Sequence, residues 1–339
     1  MKMHGFLCFS FSRIFSRKGS RSSSSNNSSD AKSRMSNSDQ DSQVKSGGTD
    51  ASARHRFDEQ GRRYHNRPDA AYMLPNDDEE IDRVHMQHWV IKIAFQGNFH
   101  APVEQQLEDG IVVLDGGCGP GTWSLEMAEN FPRSKFYGVD ISGVFPSEIK
   151  PANCDFQVHN VSQPLPFAPS YFDYVFQRML VLGIMREEWD TVLSNYMEVL
   201  KPGGWLELTE VNIPDSVNAG PKLTILMETL GEVAAQKGLQ PGVSSELGKK
   251  LKKAGAINIH CRRIEVPMHH DGKLGSLLWE DFVTAFRGLI KPFVTKKHPE
   301  LEDDAVYLKF VEDAGKECEE YQNYIIFYRA FGQKPTTST

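Results

Sequence analysis

Three glycines and an aspartate have the types and the spacing that a bound nucleotide requires. Gly117, Gly119 and Gly121 lie within five residues of one another, and Asp140 follows the last of them by 19 residues. Glycine adopts backbone angles that are closed to other residues and lets the main chain approach a ligand closely. A carboxylate accepts two hydrogen bonds at once, which suits the hydroxyl pair of a ribose. The pattern predicts a turn that cradles a nucleotide and an acid that holds its sugar.

Such a turn needs a strand before it and a helix after it, and the sequence predicts both. Residues 111–114 are β-branched or apolar, which is typical of a buried strand. Residues 124–131 have apolar side chains at helical spacing, and a helix start offers free N–H groups and a partial positive charge. Residues 135–140 indicate a second strand that ends in Asp140. Together these elements predict a nucleotide-binding β-α-β unit.

The spacing within the turn argues against a dinucleotide. The dinucleotide fingerprint is G-x-G-x-x-G or G-x-G-x-x-A, whereas the third small position here is Thr122. Pro120 also removes a backbone donor that a pyrophosphate would use. The sequence therefore disfavours a nicotinamide-dependent oxidoreductase.

The run 113–121, V-L-D-G-G-C-G-P-G, resembles motif I of the class I S-adenosylmethionine-dependent methyltransferases. In that family the turn passes under the methionine part of the cofactor, and the acid that ends the second strand holds the ribose. The resemblance implies that S-adenosyl-L-methionine is the cofactor and that Asp140 takes the ribose role.

Later segments agree with this resemblance. Asn160 and Val161 follow a third predicted strand, at positions where the family contacts the adenine. Asn160 replaces an acid, but its side-chain carbonyl can still accept from an amine. The run 201–204, K-P-G-G, matches the turn into the family's fifth strand. The implied cofactor-binding residues are Asp115, Gly116, Gly117, Cys118, Gly119, Gly121, Asp140, Ile141, Asn160, Val161 and Gln177.

Within the class, the chain is most similar to fungal methyltransferases related to the velvet-complex regulators of secondary metabolism. Residues 72–83, His88 and Ala101-Pro102 carry this closer resemblance. A helix predicted over about 77–96 would cover the cofactor cleft, as in the family. Tyr72 and Arg178 are the candidate substrate contacts, and Arg178 either steers an anionic acceptor or pairs with an acid of the core.

The predicted fold is α/β, a Rossmann-like three-layer α/β/α sandwich. Its seven-stranded sheet is mostly parallel with one antiparallel edge strand, as the resemblance implies. Residues 1–67 are expected to be a disordered Ser-rich tail, because such polar sequence buries too little apolar surface to offset its ordering entropy. Residues 68–334 are the methyltransferase domain, with the lid helix at about 77–96 and a helical insertion at about 274–320.

Composition narrows the class of protein. The 339-residue chain has a formal net charge of −7 and no broad basic face, so we expect no nucleic-acid partner. Its five cysteines have no paired spacing, which argues against a disulfide framework or a metal site. No apolar run is long enough to span a membrane. We expect a cytoplasmic or nuclear protein, although the basic start before Asp30 is also typical of a mitochondrial presequence.

The sequence thus predicts an enzyme (EC 2.1.1.-) that moves a methyl group from the cofactor to an unidentified acceptor, a small molecule or a protein, by in-line displacement. No catalytic residue is identified; Glu210 is a candidate general base. We interpret His88 as packing on the apolar stripe of the lid helix and His85 as a cap or surface residue. The alternative is a cofactor-binding regulatory or scaffold protein with little turnover that acts through a protein partner.

Overall fold

The structure is a computed structural model that describes residues 55–57, 62–65 and 73–336. Tyr72 and most of the predicted tail over 1–67 lie outside the described residues. Two short strands near the start, β1 (His55–Phe57) and β2 (Arg63–His65), pair with each other. The main sheet has β3 (Val112–Gly116), β4 (Lys135–Asp140), β5 (Cys154–Val158), β6 (Phe172–Arg178), β7 (Leu200–Val217), β8 (Ile257–Pro267) and β9 (Tyr324–Gln333).

The order of strands in this sheet is β5-β4-β3-β6-β7-β9-β8. β3 to β7 run parallel, and β9 is antiparallel to both of its neighbours. This confirms the predicted seven-stranded, mostly parallel sheet, and it places the antiparallel strand one position in from the edge strand β8. The strand order reverses between β3 and β6, and such a switch point opens a ligand crevice at the carboxyl ends of the strands.

Helices cover both faces of the sheet. Successive residues of a strand point to opposite faces, and in this sheet they pack into two different apolar clusters. Val113 and Phe176 pack with residues of α2 and α3, whereas Leu114 and Val175 pack with residues of α4. The helices are α1 (Asp78–Phe95), α2 (Glu104–Asp109), α3 (Thr122–Asn130), α4 (Trp189–Val199), α5 (Pro221–Gln236), α6 (Leu247–Lys253), α7 (Lys273–Thr284), α8 (Lys291–Lys297) and α9 (Asp304–Tyr321).

Two groups of helices correspond in position to the predicted lid helix and helical insertion. The predicted lid helix is α1, and the Asp77 carboxylate caps it by accepting from Glu80 N at 3.1 Å. The helical insertion between β8 and β9 contains α7, α8 and α9. The tail boundary at residue 67 stays a prediction. Arg62 nevertheless contacts Asp77, with 2.6 Å between Nε and Oδ2, so contacts with α1 begin before that boundary.

Candidate functional site

The glycine turn joins β3 to α3 and requires glycine for two reasons. Gly117, Gly119 and Gly121 have φ angles of +70°, +55° and +79°, in the left-handed region that favours glycine. Space is also restricted. A Cβ on Gly117 would lie 2.4 Å from Leu180 Cδ1, and one on Gly121 would lie 2.5 Å from Phe156 Cζ. The turn therefore brings bare backbone to the carboxyl end of the sheet.

Asp140, at the end of β4, holds this turn in place. Its Oδ2 accepts a hydrogen bond from Gly119 N at 2.8 Å. Its Oδ1 accepts from Ser142 N at 2.8 Å and from Ser142 Oγ at 2.9 Å. A carboxylate has about four lone-pair positions, so it keeps acceptor capacity toward the cavities that it lines. The geometry fits a ribose hydroxyl pair.

A smaller cavity, with an empty volume of about 520 Å³, opens beside Asp140. Ile141, Asn160 and Val161 also line it, so the structure brings together the residues predicted to hold the adenine and ribose. The Asn160 side-chain oxygen accepts from Ser162 N and from Ser162 Oγ, both at 3.0 Å, and so shapes the loop after β5. This cavity fits the nucleoside part of the cofactor.

A larger cavity of about 1320 Å³, a volume that includes open solvent, adjoins the smaller one. Gly117, Asp140 and Leu180 line both. A ligand in one cavity would therefore lie next to a ligand in the other. The helix α1 contributes Glu80, Arg83, Val84 and Gln87 to the larger cavity. The apolar part of its lining includes Val211, Ile213, Leu230, Phe282 and Leu289.

Four residues of the predicted cofactor set belong to the turn or its supports and line neither cavity. The buried Asp115 accepts from Ser124 Oγ at 2.7 Å, and burial raises its pKa to about 6. A Cβ on Gly116 would lie 2.1 Å from the Tyr196 hydroxyl oxygen, so that ring packs directly against the backbone. The same hydroxyl donates to Gln177 Oε1 at 2.8 Å. These four supporting residues are Asp115, Gly116, Gly121 and Gln177.

The candidate base Glu210 also lies behind the cavity wall. Its Oε1 accepts from Leu180 N and its Oε2 from Val181 N, both at 3.0 Å. Burial raises its pKa to about 7, although these N–H donors and that of Gln177 oppose the shift. In the structure Glu210 holds the segment that forms the wall, and it does not line the cavity itself.

Arg178 ends β6 and lines the larger cavity. Its Nη2 lies 2.8 Å from His88 Nδ1, and His88 Nε2 lies 2.6 Å from Glu126 Oε2. Among the described residues no carboxylate lies within ion-pair distance of Arg178, although the core acid Asp115 and Glu126 favour its charged form, so both predicted roles of Arg178 stay predictions. His88 is buried, as expected, but it belongs to a polar chain rather than to an apolar stripe.

The sequence did not predict the polar contacts that side chains of α1 make with neighbouring helices. Arg83 Nη2 lies 2.6 Å from Glu80 Oε1, and its Nη1 pairs with Asp281 on α7. His85 Nδ1 lies 2.7 Å from Thr122 Oγ1 at the start of α3, so His85 is not simply a cap or surface residue. The first-turn acids were visible in the sequence. A pair separated by 198 residues has no local pattern that could reveal it.

The described residues contain no cluster of three His, Cys, Asp or Glu side chains that could hold a metal ion. In the same part of the chain no helix is long and apolar enough to cross a membrane. Cys118 lines the larger cavity, and burial raises the pKa of its thiol well above the ordinary value. A thiol of that kind is a poor nucleophile, so Cys118 fits the role of a small turn residue.

Comparison with known proteins identifies the family. A family model described as a methyltransferase domain matches residues 113–204. Secondary metabolism regulator LAE1 of Cochliobolus heterostrophus is 30% identical over 217 residues, covering 62% of this chain and 70% of that protein. Methyltransferase pytC of Aspergillus terreus is 32% identical over 243 residues, covering 66% of this chain and 71% of that protein.

N-methyltransferase verN of Clonostachys rogersoniana is 28% identical over 200 residues, covering 58% of this chain and 68% of that protein. Among solved structures, the YcgJ protein of a Bacillus species aligns with a TM-score of 0.46 at 17% identity, covering 74% and 99%. The chain belongs to the class I S-adenosylmethionine-dependent methyltransferases and is close to the fungal LaeA-like proteins.

Proposed function

We propose that the chain methylates an acceptor bound in the larger cavity, beneath α1, by in-line displacement. One observation carries this proposal: the two cavities share Gly117, Asp140 and Leu180. A cofactor whose nucleoside lies in the smaller cavity would place its methionine end at this shared boundary. An acceptor in the larger cavity would then face the methyl group across the glycine turn.

The residues that would hold the cofactor fall into two groups. A contacting group lines the cavities, and a supporting group belongs to the turn or holds it without lining them. Bound S-adenosylmethionine would supply an activated methyl carbon, so the protein's task is to bind, orient and exclude water. The contacting group is Gly117, Cys118, Gly119, Asp140, Ile141, Asn160 and Val161; the supporting group is Asp115, Gly116, Gly121 and Gln177.

Calorimetric titration tests the cofactor part of this proposal. We expect saturable heat with S-adenosylmethionine and none with NAD, because the turn lacks the dinucleotide spacing. Incubation with methyl-labelled cofactor and a fungal cell extract then tests turnover, with label separated into small-molecule and protein fractions. Absence of S-adenosylmethionine binding would overturn the proposal.

Saturable cofactor binding without labelled product would favour a regulatory protein instead. Some of the relatives, such as LAE1 and laeA, are named secondary metabolism regulators, and that name describes those proteins. For the compartment we propose the cytoplasm or nucleus, supported by the four cysteines among the described residues, which are all free thiols. A fluorescent fusion of the full chain, located against nuclear and mitochondrial stains, checks this.

A further inference from the structure

Among the described residues, the wall of the larger cavity contains one arginine that has no carboxylate within ion-pair distance, although Asp115 and Glu126 lie near enough to favour its charged form. Three arginines line the cavity, and two of them are paired: Arg62 with Asp77, and Arg83 with Glu80 and Asp281. The third, Arg178, has no carboxylate partner among the described residues, and its hydrogen bond goes to His88. Burial lowers the pKa of Arg178 to about 10, so it stays protonated at neutral pH.

The partner of Arg178 is a neutral ring. A guanidinium has only donors, so His88 Nδ1 must accept the 2.8 Å hydrogen bond from Arg178. The proton of the neutral imidazole is therefore on Nε2, which donates to Glu126 Oε2 at 2.6 Å. The pKa of His88 is lowered, mainly by burial and also by the nearby charge of Arg178. This arrangement orients the guanidinium and leaves its positive charge for a ligand.

Part of the lining of the same cavity is apolar and buried. Val181, Val211, Ile213, Leu230 and Phe282 all line it, yet each is at most 6% exposed. A peptide or sugar placed there would leave polar groups without hydrogen bonds, at a cost of roughly 1–3 kcal/mol for each group. An aromatic or aliphatic body would bury its surface favourably.

The carboxylates that line the cavity are already engaged. Glu80 and Asp281 both pair with Arg83. Asp140 accepts hydrogen bonds from Gly119 N and Ser142 N. Within the described lining, Glu80 and Asp281 are thus ion-paired, and the remaining acceptor capacity of Asp140 is assigned to the ribose of the cofactor rather than to a proton of the acceptor. An acceptor that is already an anion needs no general base.

We propose that the methyl acceptor is a small molecule with an apolar body and an acidic oxygen, ionised at neutral pH, that pairs with Arg178. This inference rests on the proposed function. The acceptor oxygen attacks the methyl carbon of bound S-adenosylmethionine, and a carbon–oxygen bond forms as the carbon–sulfur bond breaks. The electron pair of that bond moves to sulfur. An anion and a sulfonium thus give a neutral ester or ether and neutral S-adenosylhomocysteine, with no proton released.

Binding of three matched probes to the full chain saturated with S-adenosylhomocysteine tests this assignment. The probes are 2-naphthoate, neutral 2-naphthamide and cationic 2-naphthylmethylamine, each titrated by calorimetry. We expect 2-naphthoate to bind about tenfold or more tightly than 2-naphthamide, because a hydrogen bond to a charged group contributes about 1.5–3 kcal/mol. Equal binding of acid and amide, or tightest binding of the amine, would overturn the proposal.

Two substitutions locate the effect. Arg178→Met should remove the preference for the acid, whereas the control Arg186→Met, at an exposed arginine outside the cavity, should retain it. Arg178→Lys should keep part of the preference, and it serves as the reporting variant if Arg178→Met does not fold. A preference that survives in both Arg178 variants at full strength would exclude this residue as the anion site.

The affinity for S-adenosylhomocysteine distinguishes the acceptor's anion from the cofactor's own carboxylate. We expect the Arg178→Met chain to bind it within about threefold of the unchanged chain, which is less than 1 kcal/mol. A loss of tenfold or more would assign Arg178 to the cofactor carboxylate and overturn the inference, while the proposed function stands. Failure of the unchanged chain to bind S-adenosylhomocysteine would instead count against the proposed function.

Discussion

Two arginines of the sheet, the buried Arg329 on β9 and the half-buried Arg178 on β6, have very different surroundings. Arg329 is 1% exposed; its Nε donates to Thr209 Oγ1 at 2.8 Å and lies 3.4 Å from Glu207 Oε1. Its guanidinium also lies over the Phe95 ring, 4.1 Å from the centroid.

Arg178 lines the larger cavity and has a hydrogen bond to the neutral His88 ring, and the carboxylates that favour its charge, Asp115 and Glu126, lie beyond ion-pair distance. Because Arg329 has a carboxylate, a hydroxyl and an aromatic ring as partners, we interpret it as a cation that stabilises the fold. Because Arg178 has no ion-pair partner in the described part of the chain, we interpret it as a cation that can bind a ligand.

Two glutamates on β7, Glu207 and Glu210, also differ in whether they support the fold or the cavity wall. Glu207 accepts from His100 N, Ala101 N and Tyr174 Oη at 2.7–3.0 Å, so it anchors the chain just after the lid helix. Glu210, three residues further on, instead accepts from the backbone of the cavity wall. One strand therefore supports both regions, the lid through Glu207 and the wall through Glu210.

The largest effect should come from removing Arg329. Arg329→Met leaves the Glu207 carboxylate buried without a counter-charge, which costs about 3–5 kcal/mol in comparable buried pairs. We expect a loss of that size in the free energy of unfolding, measured by urea denaturation with S-adenosylhomocysteine absent. Arg178→Met is the matched comparison, and it should cost only about 1 kcal/mol for the unsatisfied His88 nitrogen. Equal losses would break the distinction between the two arginines.

Glu210 provides the next largest effect, as a dependence on pH. Its pKa is raised from 4.5 to about 7 by burial, so its contribution to stability is complete below about pH 4.5 and is lost as pH rises through 7. Glu210→Gln cannot titrate. The stability of the unchanged chain relative to this variant should therefore fall by on the order of 3 kcal/mol between pH 4.5 and 8.

Asp115, whose pKa is also raised, is present in both chains and cancels in this difference. Urea denaturation at half-unit pH steps gives the measurement. A difference that stays constant from pH 4.5 to 8 would show that Glu210 has the same protonation in both states.

A substitution of Asp140 tests whether this cavity residue contributes to cofactor binding rather than to the stability of the fold. Asp140→Ala removes the proposed ribose acceptor and the support of Gly119 N, so we expect S-adenosylhomocysteine to bind about 10- to 100-fold more weakly. The free energy of unfolding should change by much less. Asp155→Ala, at an exposed carboxylate on β5 outside both cavities, is the control and should bind normally. Equal losses of binding and stability would make Asp140 a structural residue.

The sequence predicted the region whose chemistry is local. The turn, Asp140 and the strands around them are contiguous patterns, because backbone angles and strand periodicity depend on neighbours in the chain. A helix near the bounds of α1 could be predicted for the same reason, since its capping residue and first-turn acids lie next to its apolar positions; its role as a lid stays a prediction. The seven-stranded order followed from the resemblance rather than from any spacing.

The acceptor region depends on contacts that have no local pattern. Asp281 reaches Arg83 across 198 positions, and Glu126 reaches His88 across 38. Glu210 lies within β7, and its carboxylate accepts from backbone N–H groups and does not line the cavity. Burial decides these roles, and burial is known only after the insertion and the lid have packed together.

The smallest effect should come from His88, which acts through Arg178 as a positioning residue. His88→Asn keeps an acceptor near the place of Nδ1, whereas His88→Gln keeps a donor near the place of Nε2 and loses that acceptor. We expect the Gln variant to bind 2-naphthoate about three- to tenfold more weakly than the Asn variant, as one hydrogen bond contributes about 0.5–1.5 kcal/mol. Their thermal midpoints should be similar, because each variant loses one of the two ring contacts. A purely structural histidine would make the two variants differ in stability and not in their preference for the acid over 2-naphthamide.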